Sequence, residues 1–433
     1  MNNYESLFRC GSRSNVSCGF EYLQGLFHEC KSNIERMQER IPESNYQQLQ
    51  HFISESGWSA QEVIKEVGRQ TARSLAPLKG ERGLIIDESG NEKAGRKSVG
   101  VGHQYIGNVG KTCNAQNGVY VGLCREKRVS LVGGRLYLPE SWTSDKKRCE
   151  GAKVPSEEQK YLTKPEIGWK IIEELPKEVE YEWVGGDAIY GNSRELREKL
   201  RLSGRSYVLD VTSEMKVYLT DPKPYLPAKT GNKGRPPTRL VSAEKAISLK
   251  ELIKTIVAQE WRRIEYREGT KRKLSKEAVL KKVWIWQAGL AEVEEVELLM
   301  SRREAEEEEK FSLCWEAEGE LSVEKGLFRQ TQRYWIERGF QEIKEQLGLH
   351  QYQVRSWVAW HHHIALTMMA LHFILETQLE NTEALPIMSC GDVKLLMSKI
   401  LKNKLDDYEV LLKTIYKRNQ IRHLDIVRRQ TLV

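Results

Sequence analysis

What most limits the folds open to this chain is a set of short apolar runs, two of which close on an aspartate, interleaved with helical segments. Gly83-Leu84-Ile85-Ile86-Asp87 reads as a strand ending in an acid. Val119–Leu123 and Arg135–Leu138 read as two more strands, with a polar turn at Glu126–Arg128 between them and Pro139–Trp142 closing the meander. Lys164-Pro165-Glu166 opens a helix that carries Ile171, Ile172 and Leu175, with proline near its first turn. Tyr181–Val184 then leads into Gly185-Gly186-Asp187, a second strand ending in an acid. A helix over 193–202 and a strand over 206–210 follow. The order is β-β-β-α-β-α-β. A meander followed by alternating units predicts a mixed sheet with helices on its faces.

That order is the order of ribonuclease-H-like folds, and it sets the expected organisation. Residues 81–212 form the first part of an α/β core. Residues 213–315 break the alternation and are expected to be a β-rich insertion. It contains a helix over 242–257 and strands at Trp261–Tyr266, Lys282–Trp286 and Glu292–Leu299. The core resumes over 316–378, with a buried helix from Trp360 to Gln378, and a basic helical region occupies 379–433. Residues 1–80 read as short helices, the third started by a capping box at Ser59 and Glu62. That N-terminal bundle suits either DNA-end binding or packing alone.

Charge adds a partner class. The 433 residues carry a formal charge of +7 and are 30% charged and 39% hydrophobic, as in a globular chain. Five cations and no acid lie between Pro222 and Arg239: Lys223, Lys229, Lys233, Arg235 and Arg239. The segment 393–433 holds ten Lys/Arg against four Asp/Glu. Two basic stretches point to a polyanion. The run Glu304 to Glu309 reads as a solvated acidic face. Eight cysteines stand singly at 10, 18, 30, 113, 124, 149, 314 and 390, with no CxxC pair, so zinc-knuckle spacing is absent and free thiols are expected. No apolar leader is read at the N-terminus, and Ile364–Leu375 is short for a membrane span. A cytoplasmic protein without membrane contact is expected.

The chemistry is expected at Asp87, Asp187 and a late helix. Charges at strand ends are poorly explained by packing, and glycines flank both aspartates. If the first and fourth strands are neighbours, the two carboxylates converge. In Arg333-Tyr334-Trp335-Ile336-Glu337 and Lys344, spacings of four and seven put Arg333, Glu337 and Lys344 on one helix face. Glu337 can then complete a three-carboxylate cluster able to hold two divalent ions about 3.5–4 Å apart for phosphodiester chemistry. Oxygen donors favour magnesium or manganese over zinc. The glycines at 100–102 and 107–110 lack P-loop spacing, and His361, His362 and His363 point in different directions on a helix, so neither nucleotide hydrolysis nor a histidine metal site is read.

The late motif resembles the Y-(2)-R-(3)-E-(6)-K signature of the DDE transposases of bacterial insertion sequences. Arg333, Glu337 and Lys344 fall at R, E and K, with Ile336 and Phe340 also as expected, while Gln330 stands at the tyrosine position. Gly102–Gly107, Asn108 to Lys111, Arg135–Trp142 and Tyr352–Trp357 resemble blocks of a cut-and-paste subgroup, so the likeness covers about residues 15–375. The resemblance implies that Asp87, Asp187 and Glu337 are the catalytic triad and its metal ligands. Arg333, Lys344, Lys111 and Arg355 would contact DNA. It further implies that Mg2+ or Mn2+ is the cofactor, that double-stranded DNA of transposon ends and target is the partner, and that a homodimer assembles on it. One of Trp261, Trp284 and Trp286 would hold a flipped base, core packing being the competing role. The rival readings are a domesticated DNA-binding protein with this fold and a stand-alone ribonuclease-H-like nuclease.

Overall fold

The computed structural model of the chain describes residues 2–28, 33–107, 110–228, 235, 237–268, 273–303 and 306–430. Cys30, Asn108, Lys229, Lys233 and Glu304 lie outside the described residues.

Ten strands form one mixed sheet. They are β1 (Arg82–Glu92), β2 (Gly102–Ile106), β3 (Lys111–Arg125), β4 (Arg128–Leu136), β5 (Trp183–Gly186), β6 (Ser206–Val211), β7 (Arg262–Glu268), β8 (Lys273–Ile285), β9 (Glu294–Arg303) and β10 (Glu306–Trp315). The order across the sheet is β7-β8-β9-β10-β6-β5-β1-β3-β2, with β4 also paired to β3. β1, β3 and β4 are the antiparallel meander; β1, β5 and β6 are parallel neighbours. Every residue of β5 and β6 is buried, as strands covered on both faces must be. Helices α5 (Lys164–Glu173) and α6 (Arg194–Leu202) supply the crossovers that parallel pairing requires. The arrangement is the expected mixed α/β sheet with flanking helices, consistent with a ribonuclease-H-like fold.

The structure alters several local expectations. β1 does not end at Asp87. It runs on to Glu92 because the fifteen-residue β3 continues to pair with it, while its parallel ladder with β5 stops at Ile86 opposite Gly186. No long helix spans 242–257. The backbone at Ile247 and Ser248 pairs with Val217 and Lys216, so only the short helix Leu249–Leu252, continued by a 3-10 turn at Ile253–Thr255, remains. Glu306–Glu309 of the acidic run open a strand, β10. Its apolar end pairs with the core, Leu313 opposite Leu209, while its acidic start extends beyond the ladder with β6. The β-rich segment thus continues the sheet of the core. A buried ion pair also ties the two: Arg197 of α6 donates to both carboxylate oxygens of Glu294 in β9, at 3.0 and 2.7 Å.

The N-terminal helices are α1 (Val16–Phe27), α2 (Ile34–Arg40), α3 (Tyr46–Ser54) and α4 (Ala60–Leu75). Ser59 caps α4 through the Glu62 N–H, but the reciprocal half of the capping box is missing because the Glu62 carboxylate pairs with Lys65. The late helices are α7 (Val323–Thr331), α8 (Arg333–Leu347), α9 (Trp357–Glu380), α10 (Cys390–Ile400) and α11 (Tyr408–Gln430). The N-terminal helices share one apolar core with α8 and α9. Trp58 stacks on His362 at 3.7 Å, and both His362 nitrogens meet backbone carbonyls, of Ile53 and Trp58. Tyr22 Oη meets His363 Nδ1 at 2.8 Å. α9 is the one described helix long and apolar enough to cross a membrane, and 89% of its apolar window is buried in the protein. The seven described cysteines are all unpaired.

Candidate active site

The parallel pairing of β1 with β5 sets the site. Asp87 follows Ile86, and Asp187 follows Gly186, the last opposed pair of the two strands. The two residues therefore sit side by side where the parallel ladder ends. Asp187 caps the single turn Ala188–Gly191 by accepting from the Ile189 N–H at 2.9 Å. That turn must lie against β6, since a Cβ on Gly191 would sit 1.8 Å from the Asp210 carbonyl oxygen, so only glycine fits.

The carboxylates of Asp87, Asp187 and Glu88 come together, with ligand oxygens all within 4.8 Å of one another. Glu88 stands next to Asp87 in sequence and is not among the carboxylates expected from it. Its oxygens are already engaged, one by the Lys164 ammonium at 2.8 Å and the other by the Tyr190 hydroxyl at 3.3 Å. Asp87 and Asp187 accept only from backbone N–H groups; no described side chain donates to them. Burial pushes the Asp87 carboxyl up to about 7, with Arg333 opposing and Asp187 and Glu88 adding repulsion. Burial and the charge of Glu88 likewise raise Asp187, against the pull of Arg333. Closely spaced, partly desolvated carboxylates with unengaged oxygens form a hard-oxygen donor set that fits a divalent cation.

α8 lies across this end of the ladder. Ile336, Phe340, Ile343 and Leu347 are buried, and Phe340 meets Tyr120 of β3 edge-on at 5.3 Å. The stripe adjoining that buried face presents Arg333, Glu337 and Lys344. Arg333 Nη1 donates to Asp210 at 2.6 Å and Nη2 to Glu337 at 3.1 Å, and its charge also acts on Asp87. Glu337 stands outside the close carboxylate group, with 55% of its side chain exposed. Burial lowers the Lys344 ammonium pKa, and the charge of Asp87 partly restores it. Among the described residues Lys344 has no hydrogen bond or ion pair.

The other expected DNA contacts lie elsewhere. Lys111 is exposed at the start of β3, nine residues and about 30 Å along the strand from Tyr120, the partner of Asp87. Arg355 is exposed in a cleft of about 1940 Å³ between the N-terminal helices, the 93–98 segment and α11, together with Lys93, Arg96, Lys97 and Lys417. Trp261 is buried under Arg302, whereas Trp284 and Trp286 are half-buried. His361, His362 and His363 are buried in the core, and no close metal-ligand group among the described residues includes them.

The sequence model of the DDE superfamily endonuclease family matches residues 18–273, more than half of the chain. The chain belongs to the DDE superfamily of endonucleases. The matched span takes in Asp87 and Asp187 of this family member and stops short of Glu337. A protein of Microchaete diplosiphon named "Probable transposase for insertion sequence element IS701" is 32% identical over 187 residues. That alignment covers 40% of this chain and 44% of the relative, less than half of either.

Proposed function

We propose that the chain is the transposase of an insertion sequence, cutting DNA at terminal inverted repeats and joining the freed 3′ ends to a target. The observation that carries this reading is the convergence of Asp87 and Asp187 at the shared edge of two neighbouring parallel strands, in a chain of the DDE endonuclease superfamily. The likeness to the Microchaete diplosiphon protein supports the insertion-sequence assignment.

Asp87 and Asp187 would hold one or two divalent cations, Mg2+ or Mn2+, with Glu337 delivered from α8 as the third ligand. A bound divalent cation supplies a deprotonated oxygen nucleophile and neutralises charge on the leaving oxygen. The chain's own groups do the rest. Lys164 and Tyr190 keep Glu88 engaged, so Asp87 and Asp187 keep their free oxygens for the cation. Arg333 and Lys344 present cationic groups on the helix face that carries Glu337, where they would pair with phosphate oxygens. The basic cleft at Arg96, Lys97 and Arg355 is the surface that would carry the flanking duplex. Assembly on DNA would be as a homodimer, in the cytoplasm.

The test is Mg2+-dependent nicking of duplexes bearing the element's ends. Asp87→Asn, Asp187→Asn and Glu337→Gln are each expected to drop nicking to background while DNA binding survives, since the basic surface is untouched. Lys344→Ala should only weaken end binding or cleavage, lowering the salt slope by about 1. Near-wild-type nicking by any of the three carboxylate variants refutes the site; no nicking by the wild-type chain on DNA that it binds refutes the enzyme.

A further inference from the structure

Behind Arg333 runs a buried chain of polar side chains that the proposed chemistry does not use. The Ser301 hydroxyl of β9 donates to Gln330 Oε1 at 2.6 Å. The Gln330 amide nitrogen donates to Ser312 Oγ at 2.7 Å, and the Ser312 hydroxyl of β10 donates to Asp210 Oδ1 at 2.6 Å. Asp210 Oδ2 accepts from Arg333 Nη1 at 2.6 Å, and Arg333 Nη2 donates to Glu337. Each donor follows from the last. Ser312 has one proton and gives it to the carboxylate, so its oxygen must accept from the amide, which turns the amide oxygen to Ser301. Ser301 and Ser312 are fully buried, and Gln330 and Asp210 are nearly so. Satisfied networks of this kind hold one geometry, because any alternative leaves buried polar groups unpaired.

Arg333 needs such a restraint. Its side chain is only 16% exposed and its charge is permanent. It sits among three carboxylates, Asp210, Asp87 and Glu337, and its Nε is buried without a partner. A guanidinium with spare donors beside Asp87 would close on the oxygens that a cation needs. Asp210 takes up the Nη1 donor, and the network behind it keeps Asp210 from following Arg333 outward.

We propose that Asp210 is a positioning residue: it draws the Arg333 guanidinium back from Asp87, so that the carboxylates stay open to a divalent cation while Arg333 still orients Glu337. Gln330, at the position where the resembling signature has tyrosine, serves this role by linking Ser301 to Ser312. The inference rests on the cation site of the proposed function.

The experiment is Mn2+ titration calorimetry on the full chain without DNA, comparing wild type with Asp210→Asn, Arg333→Gln and the double variant. Asp210→Asn should weaken Mn2+ binding about tenfold, the scale of lost supporting contacts at metal sites. The double variant should bind as tightly as Arg333→Gln alone, because with the guanidinium gone nothing closes on Asp87. A merely structural role would not be rescued in this way. Two outcomes overturn the inference and leave the cation site standing: Asp210→Asn binding Mn2+ like wild type, or the double variant remaining as weak as Asp210→Asn. A wild-type chain that binds no Mn2+ at millimolar concentration instead removes the cation site and the inference with it. If Asp210→Asn does not fold, Ser312→Ala, alone and combined with Arg333→Gln, carries the same comparison, with a smaller weakening and the same rescue expected.

Discussion

Asp87 shows how a residue suited to a charged ligand burdens the fold that holds it. Burial and the repulsion from Asp187 and Glu88 outweigh the pull of Arg333, so its carboxyl ionises only near 7. A folded pKa above the unfolded value near 3.9 means a contribution to stability that is full below that value and lost as pH rises through about 7. Removing the charge should therefore stabilise the metal-free protein at alkaline pH. Asp87→Asn is expected to melt on the order of 5 °C higher than wild type at pH 8 in chelator, with the gap closing toward pH 5. Differential scanning calorimetry at the two pH values checks this, and equal melting at pH 8 would contradict it.

At the scale of elements, the β-rich segment is joined to the core by backbone pairing and by a buried ion pair. β10 hydrogen-bonds to β6, and Arg197 of α6 reaches Glu294 of β9. The Arg197 side chain is 2% exposed, so removing its partner would leave a buried charge unpaired. Glu294→Ala should destabilise the protein by about 3 kcal/mol, read as a lower urea midpoint. The double variant Arg197→Met/Glu294→Leu should lose less, because neither charge is then stranded. A Glu294→Ala midpoint equal to wild type would show that α6 does not depend on this tie. α8 follows from its own spacing: Ile336, Phe340, Ile343 and Leu347 meet the core, and Arg333, Glu337 and Lys344 form the stripe that adjoins them.

Over the whole molecule, α9 is the pillar against which both the N-terminal helices and the sheet pack. Its three consecutive histidines are buried. Burial holds His361 and His363 down to about 3, and His362 is also lowered. With folded values below the unfolded value near 6.5, these histidines stay neutral in the native state while the unfolded chain takes up protons. Stability is full above pH 6.5 and is lost as pH falls toward 3. At pH 5 His361 and His363 should each have cost the fold about 2 kcal/mol relative to pH 7. Urea unfolding at the two pH values, with His363→Asn as the comparison, measures this. A variant as acid-sensitive as wild type would assign the loss to other groups.

Local pattern carried much of this architecture by itself. The apolar runs closing on Asp87 and Asp187, the helix stripe that sets Arg333, Glu337 and Lys344 on one face, and the apolar run of α9 follow from periods of two and 3.6 residues that neighbours in sequence impose. Partner choice lay beyond that reach. Whether the segment at 247–248 joins a helix or pairs with 216–217, and whether the strand at 306–315 joins the sheet of the core at β6, depends on which distant backbone offers hydrogen bonds. Asp210 meets Arg333 across 123 residues, and Glu88 is drawn to Asp187 only because β1 and β5 are neighbours. These juxtapositions belong to the tertiary structure, because they arise where separate periodic elements are stacked and no local period encodes which of them meet.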